Sequence, residues 1–560
     1  MVNRVEHAAG LHATHMVLNQ PPPLVNYNAF TQDQTLMDCV RSEGADWAEA
    51  RLTELGALVG SEEAIDWGQT ANTSVPVLRT HDRYGQRIDE VAFHPAWHEL
   101  LQMSVKHGAH SLSWRQEQSQ GNHVARAAIF YLCTQAEAGH GCPISMTHAA
   151  YPVLRAYPEV TAPWLPLLIT NTYDPGLRPA QEKRGLLCGM GMTEKQGGSD
   201  VRANTTQARP VMWEHGEPAY VLTGHKWFCS APMSDLFLVL AQAPGGLTCF
   251  LLPRILPDGT RNNFFLQRLK DKLGNRSNAS SEVEFVDAWA LRLGEEGRGV
   301  RTIIEMVNCT RLDCVLGTAA LMRQGVTQAI HHATYREAFG RCLLEQPLMR
   351  NVLADMAIES DAATILAFRL AHACDQSRSD AHESLIQRLG TAIAKYWVTK
   401  RGPQLAAEAL ECLGGNGYVE ESGMPRLYRE MPVNSVWEGS GNVICLDVLR
   451  SISKDPQALD AFLAEIARGR CADQRLDRAS ARFQHELVGM APEEREWQAR
   501  RLVERMALLW QASLLVQHAP SEVADAFCAS RLAEESGHAF GTLPAGVDVE
   551  PILTRAWSAL

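Results

Sequence analysis

Apolar residues recur at three- and four-residue intervals from about residue 34 to 185, as in Glu99-Leu100-Leu101-Gln102-Met103 and across 124–138. That spacing predicts helices. The preceding stretch, 15–31, is rich in Pro and Asn, and Pro21-Pro22-Pro23 has no place inside a helix. After Leu186 the period shortens. Tyr220-Val221-Leu222-Thr223, Leu236-Phe237-Leu238-Val239-Leu240 and Thr248-Cys249-Phe250-Leu251-Leu252 are short β-rich runs, divided by turn formers such as Ala243-Pro244-Gly245-Gly246. With the alternation in Glu282-Val283-Glu284-Phe285-Val286 they predict a small antiparallel β domain. Helical spacing returns at Gly299 and covers 303–323, 348–372, 385–398 and 405–413. Leu413-Gly414-Gly415-Asn416-Gly417 stops the last of these, because glycine tolerates the positive φ of a helix C-cap. The final hundred residues are again helical and Arg-rich in their first half. The fold class is α+β in four parts: an N-terminal helical domain over 1–185, a central β domain over 186–296, a C-terminal helical bundle over 297–455 and a helical extension over 456–560.

A chain of 560 residues with 46% hydrophobic and 21% charged residues has the make-up of a soluble multidomain protein. No run of about 18 apolar residues predicts a membrane span. The N-terminus, Met1-Val2-Asn3-Arg4-Val5-Glu6-His7, lacks the apolar stretch of a secretory signal. The 14 cysteines stand singly, with no C-x-x-C pair and no zinc-like spacing, which predicts reduced thiols, a cytoplasmic setting and no metal. A net charge of −12 argues against polyanion binding by the surface as a whole, though not against a local basic patch. No G-x-G-x-x-G follows a strand and no Walker lysine is present, which removes the usual dinucleotide and nucleoside-triphosphate signatures.

Four segments carry candidate chemistry. In Val436-Trp437-Glu438-Gly439-Ser440-Gly441-Asn442, a carboxylate follows a large aromatic and precedes a small turn. Desolvation lifts a carboxylate from about 4.3 toward neutrality, where it acts as a base on a weakly acidic C–H. A solvated Glu at a helix start is the plainer alternative. In Met190-Gly191-Met192-Thr193-Glu194-Lys195-Gln196-Gly197-Gly198-Ser199-Asp200-Val201, paired glycines admit a ligand close to backbone and hydroxyls bond phosphate or ring edges; the alternative is a surface turn. Gly224-His225-Lys226-Trp227-Phe228-Cys229-Ser230 offers aromatic walls for a flat heterocycle, or ordinary strand packing. Tyr335-Arg336-Glu337-Ala338-Phe339-Gly340 offers a phosphate clamp and a stacking ring, or a surface Arg beside a core Phe.

Taken in order, with Leu413 to Gly417 between the third and last, these segments and the helix–β–helix layout over roughly 90–452 resemble the acyl-CoA dehydrogenase superfamily. Other stretches resemble its alkylation-response branch: Asn19-Gln20-Pro21-Pro22-Pro23-Leu24, Phe93-His94-Pro95-Ala96-Trp97-His98, Lys272-Leu273-Gly274-Asn275-Arg276-Ser277-Asn278-Ala279-Ser280 and Tyr428-Arg429-Glu430-Met431-Pro432-Val433-Asn434-Ser435. The resemblance implies noncovalent FAD between the β domain and the helical bundle. It implies cofactor contacts from Met192, Thr193, Gly198, Ser199, Asp200, Val201, Phe228, Cys229, Ser230, Val436, Trp437, Gly439, Ser440 and Asn442. Arg336 and Phe339 resemble residues that reach a neighbouring subunit's FAD, which implies a homotetramer built as a dimer of dimers. Glu438 is the implied catalytic base, and Lys195 and Arg311 are the implied contacts to an acyl-CoA-like substrate, Thr310-Arg311 resembling a pair beside the flavin. The implied function is an FAD flavoprotein of the DNA-alkylation response that binds double-stranded DNA and has weak acyl-CoA dehydrogenase activity. The alternatives are a metabolic short- or branched-chain acyl-CoA dehydrogenase without a DNA role, and a flavin oxidase.

Departures from the family pattern bear on this. Lys195 stands where Pro is usual, Glu411 and Asn442 where Gln is usual, and Pro347 where a Gln is expected, with Gln346 one place early. Such changes beside a cofactor predict slow turnover. The DNA expectation rests on Arg475, Arg478 and Arg482, spaced to share one helix face. Against it, residues 451–560 hold 12 Lys and Arg and 16 Asp and Glu, and Asp473, Asp477 and Glu504 interrupt the basic run, which reads equally as a solvated, salt-bridged face.

Overall fold

The computed structural model describes residues 14–115, 117–212, 218–533 and 537–557. Residues 15–31 run as an irregular strap. It hydrogen-bonds to the helix Glu49–Val59 and its cap, Ala29 N donating to Gly56 O and Tyr27 N to Gly60 O. Gly60 is required there, since a Cβ would lie 1.9 Å from the Tyr27 carbonyl oxygen. Further back the strap crosses to the helical bundle, where His331 Nε2 meets Pro22 O at 2.8 Å.

The framework is five long helices: Asn122–Ala136, Gly141–Arg155, Gly299–Tyr335, Pro347–Gln376 and Ala381–Cys412. Their central turns are buried on every side, and much of the charge they bring into the core is paired. Arg126 and Asp313 form one such pair between the first and third of these helices.

One departure from the expected pattern lies inside the 34–185 stretch. β1 (Val77–His81) and β2 (Arg87–Ala92) form a hairpin there. Only Leu78 and Val91 pack toward the β domain's interior, and the other positions are polar or half exposed, so the period-two signal is too thin to stand out among helices. The hairpin docks on the β domain through Asp89, whose Oδ1 accepts from Leu266 N and whose carbonyl accepts from Arg254.

The β domain comprises β3 (Cys188–Gly191), β4 (Gln207–Met212), β5 (Pro218–Ser230), β6 (Leu236–Ala243), β7 (Gly246–Pro253), β8 (Phe264–Leu269) and β9 (Ser280–Leu293). Neighbours run β3-β6-β4-β5-β9-β7, β7 pairs back onto β6, and β8 adds to β9, so the sheet closes on itself around Phe237, Phe250, Phe264 and Phe285. The expectation of a wholly antiparallel domain needs correction. β3 pairs with β6 in parallel, Cys188 opposite Leu236, and β4 touches β6 in parallel at Gln207. No hairpin joins β3 to β6; two other strands intervene, and nothing forces the chain to reverse direction.

The extension is a continuation of the bundle's core. Helices Pro456–Ala467, Ala499–His518, Ser521–Arg531 and Val549–Ala556 pack against Pro347–Gln376 and Ala381–Cys412. Trp510 is buried there, and Gly390 leaves room for its ring, because a Cβ would lie 2.4 Å from Trp510 Cη2. Three arginines tie the layers together. Arg369 bonds Glu383 from the bundle and Glu465 from the extension, Arg531 bonds Asp355 and Glu359, and Arg555 bonds Asp38 and Asp361. Among the described residues no helix is long and apolar enough to cross a membrane.

Removing one partner from a buried ion network strands the others without compensation. Arg369→Met leaves two buried carboxylates facing each other and is expected to lower stability by about 3–5 kcal/mol. Denaturant unfolding followed by tryptophan fluorescence checks this, since Trp510 sits at the same joint.

Candidate functional site

The loop that follows β3 is held from inside. Glu194 is fully buried, and its carboxylate accepts from Lys226 Nζ (2.7 Å), Thr205 N (2.6 Å), Thr206 N (3.2 Å) and Gln196 Nε2 (2.8 Å). Burial works against its ionisation, but Lys226 and these donors prevail and hold the carboxyl well below the usual range. Two motif residues that the sequence offered as parts of ligand segments thus serve each other. Beyond Glu194 the chain opens: Lys195, Gly198, Ser199 and Asp200 are exposed, Thr193 and Val201 are half buried, and Gly198 closes on Thr193, whose Oγ1 would lie 2.3 Å from a Cβ. Lys195 donates its backbone N–H to His225 Nε2, and its ammonium lies 5.8 Å from the centre of the Trp227 ring.

β5 has a bulge between Lys226 and Cys229. The extra residue puts Trp227 and Phe228 both outside the barrel while Lys226 and Cys229 both point in. Phe228 is 53% exposed, a large apolar surface left uncovered. Cys229 packs in the barrel interior, so only its backbone faces outward; alternation along the strand, broken by the bulge, decides this. Ser230 is half buried and its Oγ lies 3.2 Å from Ser280 Oγ, which accepts from Lys272 Nζ at 3.0 Å.

The turn 436–442 joins the helices Met424–Asn434 and Gly441–Lys454. Met190, Met192, Val201 and Trp437 all border one apolar cluster. Trp437 is oriented by its indole N–H on Asn434 Oδ1, which in turn bonds Thr318. Glu438 has φ +57°, a left-handed conformation that an L-residue keeps only when its surroundings enforce it. Three successive carbonyls of the turn accept from buried cations: Trp437 O and Gly439 O from Lys395 Nζ, and Glu438 O from Arg311 Nε at 3.0 Å. Arg311 also bonds Asp447 at 2.8 Å, and is thereby engaged with protein on two sides. Glu438 Oε2 is buried with no hydrogen-bond partner. Burial raises the Glu438 pKa, and Thr310, Arg311 and Lys395 offset part of that rise. A desolvated carboxylate with a free lone pair is equipped to take a proton.

Val436 and Ser440 are exposed at the edge of this turn, and Gly439 has φ +105°. Asn442 is engaged by the extension, its Oδ1 accepting from Arg500 Nε at 2.8 Å. Arg336 and Phe339 lie elsewhere. Arg336 caps the helix Gly299–Tyr335 and bonds Asn19 O of the N-terminal strap; Phe339, at φ +53° between the two-residue strands Glu337–Ala338 and Arg341–Cys342, is fully exposed. Thr310 and Arg336 stand 26 positions apart on and just beyond one helix, roughly 39 Å at 1.5 Å per residue. Within one chain, the Phe339 segment and the Glu438 turn therefore occupy separate places. Lys395 is the residue that sequence reasoning missed. Its signal was a lone lysine in the otherwise apolar run Ala392-Ile393-Ala394-Lys395-Tyr396.

On the helix Gln474–Gly489 the three candidate arginines are unequal. Arg475 is half buried and bonds Asp473 and Asp525. Arg478 and Arg482 are exposed, the first bonding Gln474 O and the second Glu486. Among the described residues no group of His, Cys, Asp and Glu is arranged to hold a metal ion, and all 14 cysteines are free.

Comparison with known proteins gives three family matches in chain order: the adaptive response protein AidB N-terminal domain over 19–175, the acyl-CoA dehydrogenase middle domain over 189–288 and its C-terminal domain over 297–453. The chain is 48% identical over 525 residues to the putative acyl-CoA dehydrogenase AidB of Escherichia coli, covering 94% of this chain and 95% of that one. It is 32% identical to acyl-CoA dehydrogenase family member 11 of Caenorhabditis elegans, over 74% of this chain and 68% of that one. Among solved structures, C. elegans ACDH-11 in complex with C11-CoA superposes with a TM-score of 0.83 at 27% identity over 93% of both chains. The Bacillus anthracis acyl-CoA dehydrogenase complexed with FAD shares the fold, with a TM-score of 0.61 at 20% identity over 78% of this chain and 82% of that one.

Next to the turn, Glu430 supplies a pH-dependent term. Its Oε1 accepts from Asn275 N at 2.8 Å, Oε2 is buried without a partner, and burial with the neighbouring Glu137 pushes its pKa up to about 7. The folded state therefore holds this proton to higher pH than the unfolded chain does. The stability from Glu430 is complete below its unfolded pKa of about 4.3 and is lost as pH rises through the folded value. Glu430→Gln keeps the acceptor for Asn275 and removes the titration. At pH 8 the variant is expected to exceed the parent by about 2–4 kcal/mol, with near equality at pH 4, as read from unfolding at the two pH values.

Proposed function

The chain belongs to the acyl-CoA dehydrogenase family, and from that we propose that it is an FAD-dependent acyl-CoA dehydrogenase-type oxidoreductase of the AidB kind, with weak acyl-CoA activity and a second role in binding duplex DNA during the response to alkylation. The observation that carries the catalytic part is the desolvated Glu438 carboxylate with its unpartnered Oε2, on a turn whose carbonyls are held by two cations.

FAD suits the residues at hand. Phe228 offers an uncovered ring on the barrel's outer face, and Gly197 has nothing within 4 Å of a Cβ position, leaving room for a ligand against the loop. Thr193, Gly198, Ser199, Asp200, Val201 and Ser230 would hold it from the barrel side, and Trp437, Gly439, Ser440 and Asn442 from the bundle side. When bound, the flavin supplies the two-electron acceptor that no side chain provides. The protein's part is to exclude water, to orient an acyl thioester and to remove its α proton on Glu438. Arg336, half buried, and Phe339, fully exposed, lie at the far end of the long helix and are assigned to a neighbouring subunit's cofactor in a dimer of dimers. Free cysteines and the likeness to AidB support a cytoplasmic setting.

Isovaleryl-CoA added anaerobically tests the catalytic reading. FAD-loaded protein is expected to lose its visible flavin absorbance slowly. Glu438→Gln is expected to bind FAD normally and to bleach at least 100-fold more slowly, since a general base typically supplies 10²–10⁴-fold. Bleaching at the parental rate in that variant removes Glu438 from the mechanism.

The DNA role is supported by the likeness to AidB and by the exposed Arg478 and Arg482. Arg475, paired with Asp473 and Asp525, contributes position more than phosphate contact. The excess of acidic residues in the extension favours the second reading, a metabolic short- or branched-chain dehydrogenase. Mobility-shift titrations of a duplex at several salt concentrations separate the two. The DNA role predicts retardation at low salt that weakens as salt rises and is reduced in Arg478→Glu/Arg482→Glu; no retardation at low salt assigns the protein to metabolism alone.

A further inference from the structure

The ammonium of Lys395 stands out among the buried charges. Its side chain is 1% exposed, yet no carboxylate bonds it; its partners are two backbone carbonyls, Trp437 O at 2.9 Å and Gly439 O. Lys226 is matched by Glu194 and Arg369 by Glu383 and Glu465, whereas Lys395, like Arg254 on Pro232 O and Asp89 O, has only backbone carbonyls as partners. A buried cation costs several kcal/mol of desolvation, and two neutral acceptors satisfy its hydrogen bonds without cancelling its charge. The two carbonyls flank one residue, and that residue is Glu438. We propose that Lys395 is a positioning residue for Glu438, its ammonium bridging the carbonyls on either side to hold the left-handed turn and placing an uncancelled positive charge beside the carboxylate. The inference rests on the reading of Glu438 as the base.

Two consequences follow from the geometry. A residue at φ +57° relaxes toward negative φ when its flanks are released, and the carboxylate then swings out of line. Arg311 alone holds only the middle carbonyl, and part of its charge is answered by Asp447. The second consequence is electrostatic. Around Glu438 stand Arg311 and Cys314 from the long helix, Cys142 from Gly141–Arg155, and Lys395, with Lys400 a turn further along the same helix. Of these, Lys395 and Arg311 are the charges that favour the ionised base. Without Lys395, burial acts on the carboxyl with less opposition, and the base ionises only at higher pH.

The test compares FAD-loaded parent, Lys395→Met, Lys395→Arg and the double variant Lys395→Met/Glu438→Gln. Two profiles are read: the pH dependence of isovaleryl-CoA bleaching, and the pH titration of flavin absorbance without substrate, whose Glu438 component is the part lost in Glu438→Gln. The proposal expects Lys395→Met to bleach 10- to 100-fold more slowly at pH 7. It also expects the acid limb and the Glu438 component to move upward by about one pH unit, with no such component in the double variant. Lys395→Arg, which keeps the charge, is expected to hold the component near its parental position, and decides the matter if Lys395→Met does not load FAD. An unmoved component in Lys395→Met, an equal displacement in Lys395→Arg, or a parental titration without a Glu438 component overturns the proposal. If the parent fails to bleach while its Glu438 component still moves in Lys395→Met, the catalytic reading falls and the positioning role stands.

Discussion

A carboxylate buried against an apolar wall is useful only if the backbone beneath it cannot move, and the turn from Trp437 to Gly439 is fixed by cations instead of by regular structure. Its three carbonyls point to Lys395 and Arg311, which come from two different helices of the bundle. The site therefore depends on how those helices pack. Ala381–Cys412 must bring Lys395 beneath the turn, and Gly299–Tyr335 must bring Thr310 and Arg311 to its other side. A shift in helix packing would move the base before it disturbed the core.

The β domain meets this requirement from the opposite wall. The buried Glu194–Lys226 pair anchors the loop after β3 to the barrel, and the bulge in β5 turns Trp227 and Phe228 outward together. Removal of charge from water is offset by several hydrogen bonds to one carboxylate, so the loop's exposed part can stay open and glycine-rich without losing its place. Rigid anchoring below and open backbone above is the arrangement that a large planar ligand needs.

The extension is bound into the molecule more firmly than a flexible arm would be. Arg369 through Glu383, and Arg531 through Glu359 and Arg401, join it to the helix that carries Lys395, Arg555 joins it to the helix Pro347–Gln376, and Arg500 reaches Asn442 on the turn itself. A load placed on the exposed face of the extension is thus mechanically connected to the segment holding Glu438. That connection gives a physical basis for treating the two parts of the proposed function as properties of one body.

Much of this was legible in the residues alone. The change of period at about 186 and again near 299 marked helices, barrel and bundle, because periodicity follows directly from which faces are buried. The four motif segments marked the residues of the loop, the strand and the turn. What the sequence by itself determined was the composition of the site and the order of its parts. Only the tertiary structure decided their roles. Lys226 and Glu194, each inside a segment read as ligand-binding, hold one another; Cys229 points into the barrel because of a bulge that no local pattern announces; Arg475 gives its charge to Asp525 fifty residues away. Lys395 lies 43 positions before Glu438 and bonds backbone, which leaves no trace in side-chain identity at the turn. The parallel pairing of β3 with β6 was hidden for the same reason. Local pattern reports what a residue prefers nearby; which distant group answers a buried charge or an open strand edge is settled only when the chain has packed.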